Sequence, residues 1–375
     1  MVNVYLFIRS STNPGPRVSR IIRYFESKGK NIVYLAPYRR GDIPDPRYRD
    51  LGSLGEYDYF DGAGLGGYFI YVISINWLVA KIIYRHRHNI KFVHFSDLEV
   101  VLFGSIVCKA FGIRYVYNIH DNFFQRYNFN RIVSLGLKYL ESFFIRISDK
   151  TVVPESFRRT CYPEKLHSRI FVLRNYPDFD VSTSHIPFVN KRVSLFYGGW
   201  ISPNRSIGLF FELADALILK GYYISFNVCG WGDSNYLESL AEEAARKKIA
   251  FKYLGQLTQR DAVGHLKQAD ASIAYYSPDK VINIFAASNK IPEIIGSSTI
   301  LITNSHTEIA KKIKPLDISL QFDISVHEVV DELVTLIESK ALMTEFDMRA
   351  KKLYMAEYNP QRLSSDLEEF FCEYV

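Results

Sequence analysis

Short runs rich in β-branched and aromatic residues alternate with helix-length amphipathic segments along all 375 residues. That alternation leaves few architectures open. A strand followed by a long crossover returns parallel to its neighbour, and parallel sheets need helices on both faces. In the first half the runs fall at 2–8, 31–36, 91–95, 114–118, 150–153 and 170–174, with helical segments at 17–28, 68–85, 98–111 and 131–147. The stretch 176–191, YPDFDVSTSHIPFVNK, lacks periodicity and reads as an interdomain linker. The pattern then restarts with runs at 193–197, 225–229, 250–254, 271–275, 299–303 and 318–322, between helical segments at 207–220, 235–247, 260–268 and 327–338. The last segment, 345–374, is helical with an interruption at Asn359-Pro360.

Such a length exceeds one ordinary core and implies two domains with a cleft. Hydrophobic residues at 48% and charged residues at 23% exclude disordered and fibrous classes. A formal charge of +6 suits anionic small molecules or an acidic membrane surface, and no basic block or zinc spacing points to nucleic acid. Cys108, Cys161, Cys229 and Cys372 are scattered without a CxxC pair, which argues for a reducing, cytoplasmic setting and against a zinc site. The opening residues MVNVYLFIRSS carry no signal-peptide pattern and read as a buried strand. Segment 62–80 is uncharged, but its strongly apolar part, YFIYVISINWLVA, is shorter than the roughly 20 residues a spanning helix needs. A buried core helix is expected there. The cations that follow, Lys81, Arg85, Arg87 and Lys91, read as a solvated helix end or as a peripheral contact with anionic lipid headgroups.

Doubly wound domains bind ligands at the carboxyl ends of their strands, so candidate residues are those just after each run. After the first comes NPGPR, where Gly15 lets a ligand approach the backbone and Arg17 is either a ligand contact or a surface cation. After the fourth comes YNIHD, placing His120 and Asp121 where an imidazole binds a hydroxyl or moves a proton. His94 and Asp97, at the end of the neighbouring run, read as structural. In the second half, FYGGWISPNRSIG offers Gly198 and Gly199 as room for a ligand and Arg205 as a phosphate-binding cation. NVCGWGDS adds Gly230 and Gly232 as a tight turn. In NIFAASNKIPEIIG, Asn289 and Lys290 open a helix suited to phosphate, and Glu293 either accepts sugar hydroxyls or complements the helix dipole.

The order of these strings resembles the GT-B nucleotide-sugar glycosyltransferases, in particular glycosyltransferase family 4 and its bacterial surface-polysaccharide members. The strings that carry the resemblance include PGPRVSRIIRYFESKGKNIVYL, KFVHFSDLEVVLFGSIVCKAFGIRYVYNIHD, LFYGGWISPNRSIGLFFELADAL, VCGWGDS and SNKIPEIIG, spread over nearly the whole chain. The resemblance implies an α/β fold of two Rossmann-like doubly wound domains facing across a cleft. An acceptor domain over 1–178 and a donor domain over 190–345 would be followed by a helical segment, 346–375, crossing back to the first. It assigns the ribose to Glu293, the diphosphate to Arg205, the neighbourhood of the donor sugar to His120, and the first loop near donor and acceptor to Gly15. Three departures stand out. Phe285 occupies the place of the family's first glutamate, Gly199 that of an arginine, and GSSTI that of the usual glycine-lysine-proline turn.

The expected activity is transfer of a sugar from a nucleoside-diphosphate sugar to a hydroxyl of a lipid-linked or oligosaccharide acceptor, retaining and without a metal or other cofactor. His120 or Asp121 would be the general base if the enzyme inverts. The expected location is the cytoplasm, peripheral at the inner face of the cell membrane. A sugar-nucleotide epimerase of the same fold and a non-catalytic nucleotide-sugar-binding relative are the alternatives.

Overall fold

The computed structural model describes residues 3–37, 64–126, 129–177, 179–182, 191–205, 207–322 and 326–375. Residue 2 of the first expected strand, residues 62–63 of the uncharged segment and much of the expected linker lie outside that set. The chain forms two compact units. One comprises residues 1–174 and 363–375, the other residues 175–362.

The first unit runs β1 (Val4–Arg9), α1 (Gly15–Ser27), β2 (Asn31–Leu35), α2 (Gly64–His86), β3 (Ile90–Ser96), α3 (Leu98–Ala110) and β4 (Arg114–Asn118). It continues with α4 (Phe123–Arg126), α5 (Arg131–Ile147), β5 (Lys150–Val153), α6 (Ser156–Arg159) and β6 (Ile170–Val172). Its six strands are parallel, in the order β2-β1-β3-β4-β5-β6. Strand interiors such as Leu6, Phe7, Val93, Val116 and Val152 are buried, as a sheet covered on both faces demands.

The second unit begins with β7 (Arg192–Ile201), α7 (Gly208–Leu219), β8 (Tyr223–Gly232), α8 (Ser234–Arg246), β9 (Ala250–Tyr253), α9 (Gln259–Leu266) and β10 (Ala271–Ala274). It goes on through α10 (Val281–Ile284), α11 (Lys290–Gly296), β11 (Ile300–Thr303), α12 (Glu308–Ile313), β12 (Ser319–Gln321), α13 (Val326–Glu338) and α14 (Lys340–Glu357), and α15 (Pro360–Phe371) leads out of it. Its parallel order, β12-β11-β10-β7-β8-β9, reverses direction between β7 and β10. Side-chain caps from Asp233, Thr258 and Thr307 start α8, α9 and α12 by accepting from otherwise unpaired amides.

The end of the chain differs from the expected boundary. Residues 346–362 belong to the second unit, because Phe346, Ala350, Leu353 and Tyr354 of α14 are buried there. Tyr354 Oη accepts from the Val181 amide at 3.1 Å, and Ser298 donates to Asp347. The chain reaches the first unit only from Leu363. There Phe371 packs edge-on to Phe25, and Tyr374 stands 5.0 Å from Phe92. Glu373 pairs with Arg114 and Lys150, while Glu368 pairs with Lys28.

Gly296 marks how tightly α14 seats. A Cβ there would lie 2.4 Å from Val181 Cγ2 and 2.7 Å from the Tyr354 ring. Gly296→Ala should therefore destabilise the protein by about 1–3 kcal/mol despite the better helix propensity of alanine. Urea unfolding measures this, and an unchanged midpoint would contradict the packing described.

Candidate functional site

Ligands of doubly wound sheets sit where the strand order reverses. In the second unit that point holds a pocket of about 280 Å³, lined from β7 by Tyr197, Gly199 and Trp200 and from the end of β10 by Ala274, Tyr275 and Tyr276. Arg205, Trp231, Asn289 and Lys290 complete its wall.

Two cations face this space. Arg205 follows β7 in a 3₁₀ turn, Pro203–Arg205, with its guanidinium 5.3 Å from the Trp200 ring centroid. Lys290, the first residue of α11, places Nζ 4.1 Å from the Tyr197 ring centroid. Among the described residues neither cation has a carboxylate within ion-pair distance. The side-chain oxygen of Asn289 is buried there without a hydrogen-bond partner. As an acceptor, that oxygen suits a ligand donor such as a hydroxyl. Burial first, then Arg205, lowers Lys290 to about 8, against the opposing pull of Glu293.

Gly199 explains how Lys290 enters. A Cβ on Gly199 would stand 2.7 Å from Lys290 Cε and 2.8 Å from Nζ, so a side chain at 199 would collide with the lysine. Where the resemblance leads one to expect an arginine on β7, a cation arrives instead from α11. Gly198 faces elsewhere, toward Phe196 and Cys229 Sγ.

Gly230 and Gly232 require a correction. They form no tight turn, because β7 and β8 stay paired through Gly199↔Gly230, Trp200↔Trp231 and Ile201↔Gly232. A Cβ on Gly230 would lie 1.8 Å from Gly199 O, and one on Gly232 2.0 Å from Ile201 O. These glycines keep two extended strands in contact and so carry Trp200 and Trp231 out to the pocket. Sequence reasoning missed this tryptophan pair, although the echo of GGW in CGWG was available as a signal.

Glu293 lies one turn beyond Lys290 on α11, where Gln259 Nε2 donates to its Oε1. Phe285 caps α10, and its amide and that of Ala286 donate to Ile282 O and Asn283 O. Those two amides are therefore spent within the α10 turn.

The first unit has its own polar cluster after β1, β3 and β4. The His120 amide donates to Asp97 Oδ1 at 2.9 Å. Asp97 adopts φ 73°, a backbone conformation that costs a non-glycine residue about 1–3 kcal/mol and gathers at functional sites. Burial, then the adjacent Arg17 and Arg9, hold the His120 imidazole well below its ordinary pKa, so the ring is neutral near pH 7. Arg17 is buried rather than a surface cation, donating to Ile119 O at 3.0 Å. Asp121 is engaged by the buried Arg158 at 2.8 Å. Gly15, at φ 70°, leaves space for Arg9, whose guanidinium donates to Pro14 O at 2.6 Å. His94 is a core residue, stacked on Phe7 and lowered to about 3 by burial. Among the described residues no group of three or more His, Cys, Asp or Glu side chains is arranged to hold a metal ion.

The Lys290 pKa sets two opposite pH trends. Between pH 8 and 10.5 the unfolded chain holds a proton that the folded chain lacks, so unliganded stability rises with pH across that window. Relative to the Lys290→Arg protein, whose cation does not titrate, the natural protein should lose affinity for inorganic diphosphate as the pH rises above 8, a difference in which the ligand's own ionisation cancels. Gly199→Ala, by displacing Lys290, should weaken diphosphate binding roughly tenfold or more. Titration calorimetry reads both effects. Parallel pH profiles in the natural protein and the Lys290→Arg protein would remove Lys290 from the site.

No protein-family model matches the chain, and no curated protein matches it in sequence. Solved structures do match in fold. HepE of Anabaena, in complex with UDP and glucose, superposes with a TM-score of 0.67 at 13% identity, covering 99% of this chain and 100% of that one. A glycosyltransferase from Rickettsia africae gives 0.66 at 14% identity, over 100% and 98% of the two chains. Sucrose-phosphate synthase from Thermosynechococcus elongatus gives 0.69 at 9% identity, over 99% and 98%. Across its whole length the chain has the two-sheet GT-B fold of these proteins.

Proposed function

We propose that the protein is a nucleotide-sugar-dependent glycosyltransferase. The carrying observation is the pair of cations, Arg205 and Lys290, facing an aromatic pocket at the β7–β10 switch point, neither with a carboxylate within ion-pair distance among the described residues. A diphosphate between a nucleoside and a sugar supplies negative charge there, and HepE, a protein of the same fold, forms a complex with UDP-glucose.

In this reading the bond from the sugar's anomeric carbon to the diphosphate oxygen breaks, and a bond from that carbon to an acceptor oxygen forms. Negative charge grows on the leaving diphosphate, and Arg205 and Lys290 stabilise it without reorganising. The reading asks for no metal ion. The acceptor proton passes to the leaving phosphate, which corresponds to retention of configuration. His120 then serves as a neutral hydrogen-bonding group toward a sugar hydroxyl, because a ring held so far below its ordinary pKa is a weak base. Asp121, held by Arg158, is not assigned the base role. Glu293 is assigned to the ribose. The finer proposals are a lipid-linked or oligosaccharide acceptor in surface-polysaccharide synthesis, and a cytoplasmic enzyme working at the inner face of the membrane.

Phe285 favours a second reading, a nucleotide-sugar-binding protein without turnover. It replaces a carboxylate in the resembling family, and the nearby Phe285 and Ala286 amides are already used. Calorimetry with UDP followed by donor hydrolysis and transfer assays separates the two. Binding with turnover supports the transferase, and binding without turnover on uridine, guanosine and cytidine donors supports the second reading. Arg205→Ala should cost about 1.5–3 kcal/mol of UDP binding, and unchanged affinity would refute the assignment. His120→Ala should lower kcat without changing the pH dependence of the rate around pH 7, since the ring is already neutral there.

A further inference from the structure

One helical layer of the first unit has a surface unlike the rest. Helix α3 packs on β3 and β4 and touches both α2 and α5. Helix α2 turns Tyr71, Ile75, Val79 and Ile83 inward, yet its opposite side leaves Phe69, Ile73 and Trp77 exposed, Trp77 by 66%. Helix α5 buries Phe144 and Ile145 and exposes Ile132 by 84%, with Leu135, Tyr139 and Phe143 following at helical spacing. Apolar stripes of this kind normally face a core, and soluble monomers rarely expose large contiguous ones.

Charge is sorted as strictly as polarity. The carboxylates of these three helices are Glu99 and Glu141, and both are buried. Glu99 is paired with Arg126 and receives the Tyr68 hydroxyl, while Glu141 accepts from Tyr117, Tyr162 and the Phe123 amide. The exposed charges are all positive: Lys81, Arg85, Lys109, Arg131 and Arg146. At the end of α2, Arg87 lies 4.5 Å from the Tyr84 ring and 5.2 Å from that of Phe111, with the two aromatic rings in contact.

We propose that this α2–α3–α5 layer docks on an anionic lipid bilayer, with the apolar stripes in the acyl boundary and the cations among the headgroups. Apolar residues, Trp and Tyr combined with charge of a single sign fit an interface of that kind. Contrary to the short buried core helix expected from the sequence, α2 over Gly67–His86 is long and apolar enough by composition to cross a membrane. Its inner side is nevertheless packed against α3, so it meets the bilayer lengthwise. The inference locates the membrane contact of the proposed transferase, but it stands on the surface alone and does not require transfer.

The full chain should sediment with vesicles containing phosphatidylglycerol and not with phosphatidylcholine alone, and high salt should weaken binding roughly tenfold. In a Trp200→Phe, Trp231→Phe background, the emission of Trp77 should shift to the blue on binding. Leu135→Glu with Tyr139→Glu should weaken vesicle binding roughly tenfold or more, with melting temperature and UDP affinity unchanged, because both residues are exposed. A charge-reversed variant, Lys81→Glu with Arg146→Glu, should lose the preference for anionic vesicles. Absence of vesicle binding would overturn the proposal, as would equal binding to both vesicle types. So would a concentration-dependent dimer that disappears in the Leu135 and Tyr139 variant, since the layer would then be a protein interface. UDP binding reports the pocket separately, so loss of the membrane inference leaves the transferase reading to its own assays.

Discussion

A lysine ammonium held against an aromatic ring, with no carboxylate within ion-pair distance among the described residues, sets the terms for the second unit. Removing such a charge from water is unfavourable, and the Tyr197 ring returns only part of that cost through cation–π attraction. The arrangement then depends on its surroundings. Residue 199 must lack a side chain, and α11 must begin where Lys290 can reach across to β7. The β7–β8 pair must run on past its ordinary end so that aromatic walls enclose the space. On the proposed reading these features ready the site for an anion, which is the preorganisation expected where charge develops during a reaction.

Most of the fold was legible in the sequence. Strands buried on both faces read as continuous apolar runs, and each of the runs became a strand within a few residues of its expected ends. The alternation with helices gave their parallel direction. What could not be read was which distant segments touch. GGW suggests room for a ligand and CGWG a turn when each is taken alone, and only their register against each other shows these strands meeting at backbone contacts. An amphipathic helix such as α14 announces a buried face without saying which unit it covers. Tyr354 beside Val181 and Gly296 decides that.

The site followed the same division. Arg205, Asn289 and Lys290 were visible as residue types at strand ends and helix starts, and the fold brings them to one pocket. The exchange of cation between strand and helix was not visible, because Gly199 signifies a missing arginine until Lys290 is seen in its space. In the first unit His120 was visible, but its neutral state depends on burial first and then on guanidiniums from α1 and β1, and Asp121 looked available until Arg158 was placed beside it.

The division of the chain also has a consequence for its synthesis. The first unit contains residues 1–174 but finishes its aromatic core with Phe371 and Tyr374. While the polypeptide emerges from the ribosome, residues 175–362 can complete their sheet before the unit that precedes them is closed. The sides of Phe25 and Phe92 that meet Phe371 and Tyr374 lack those partners for that whole interval. Order of emergence and order of completion are therefore reversed, and the early unit is the one exposed longest to misassociation.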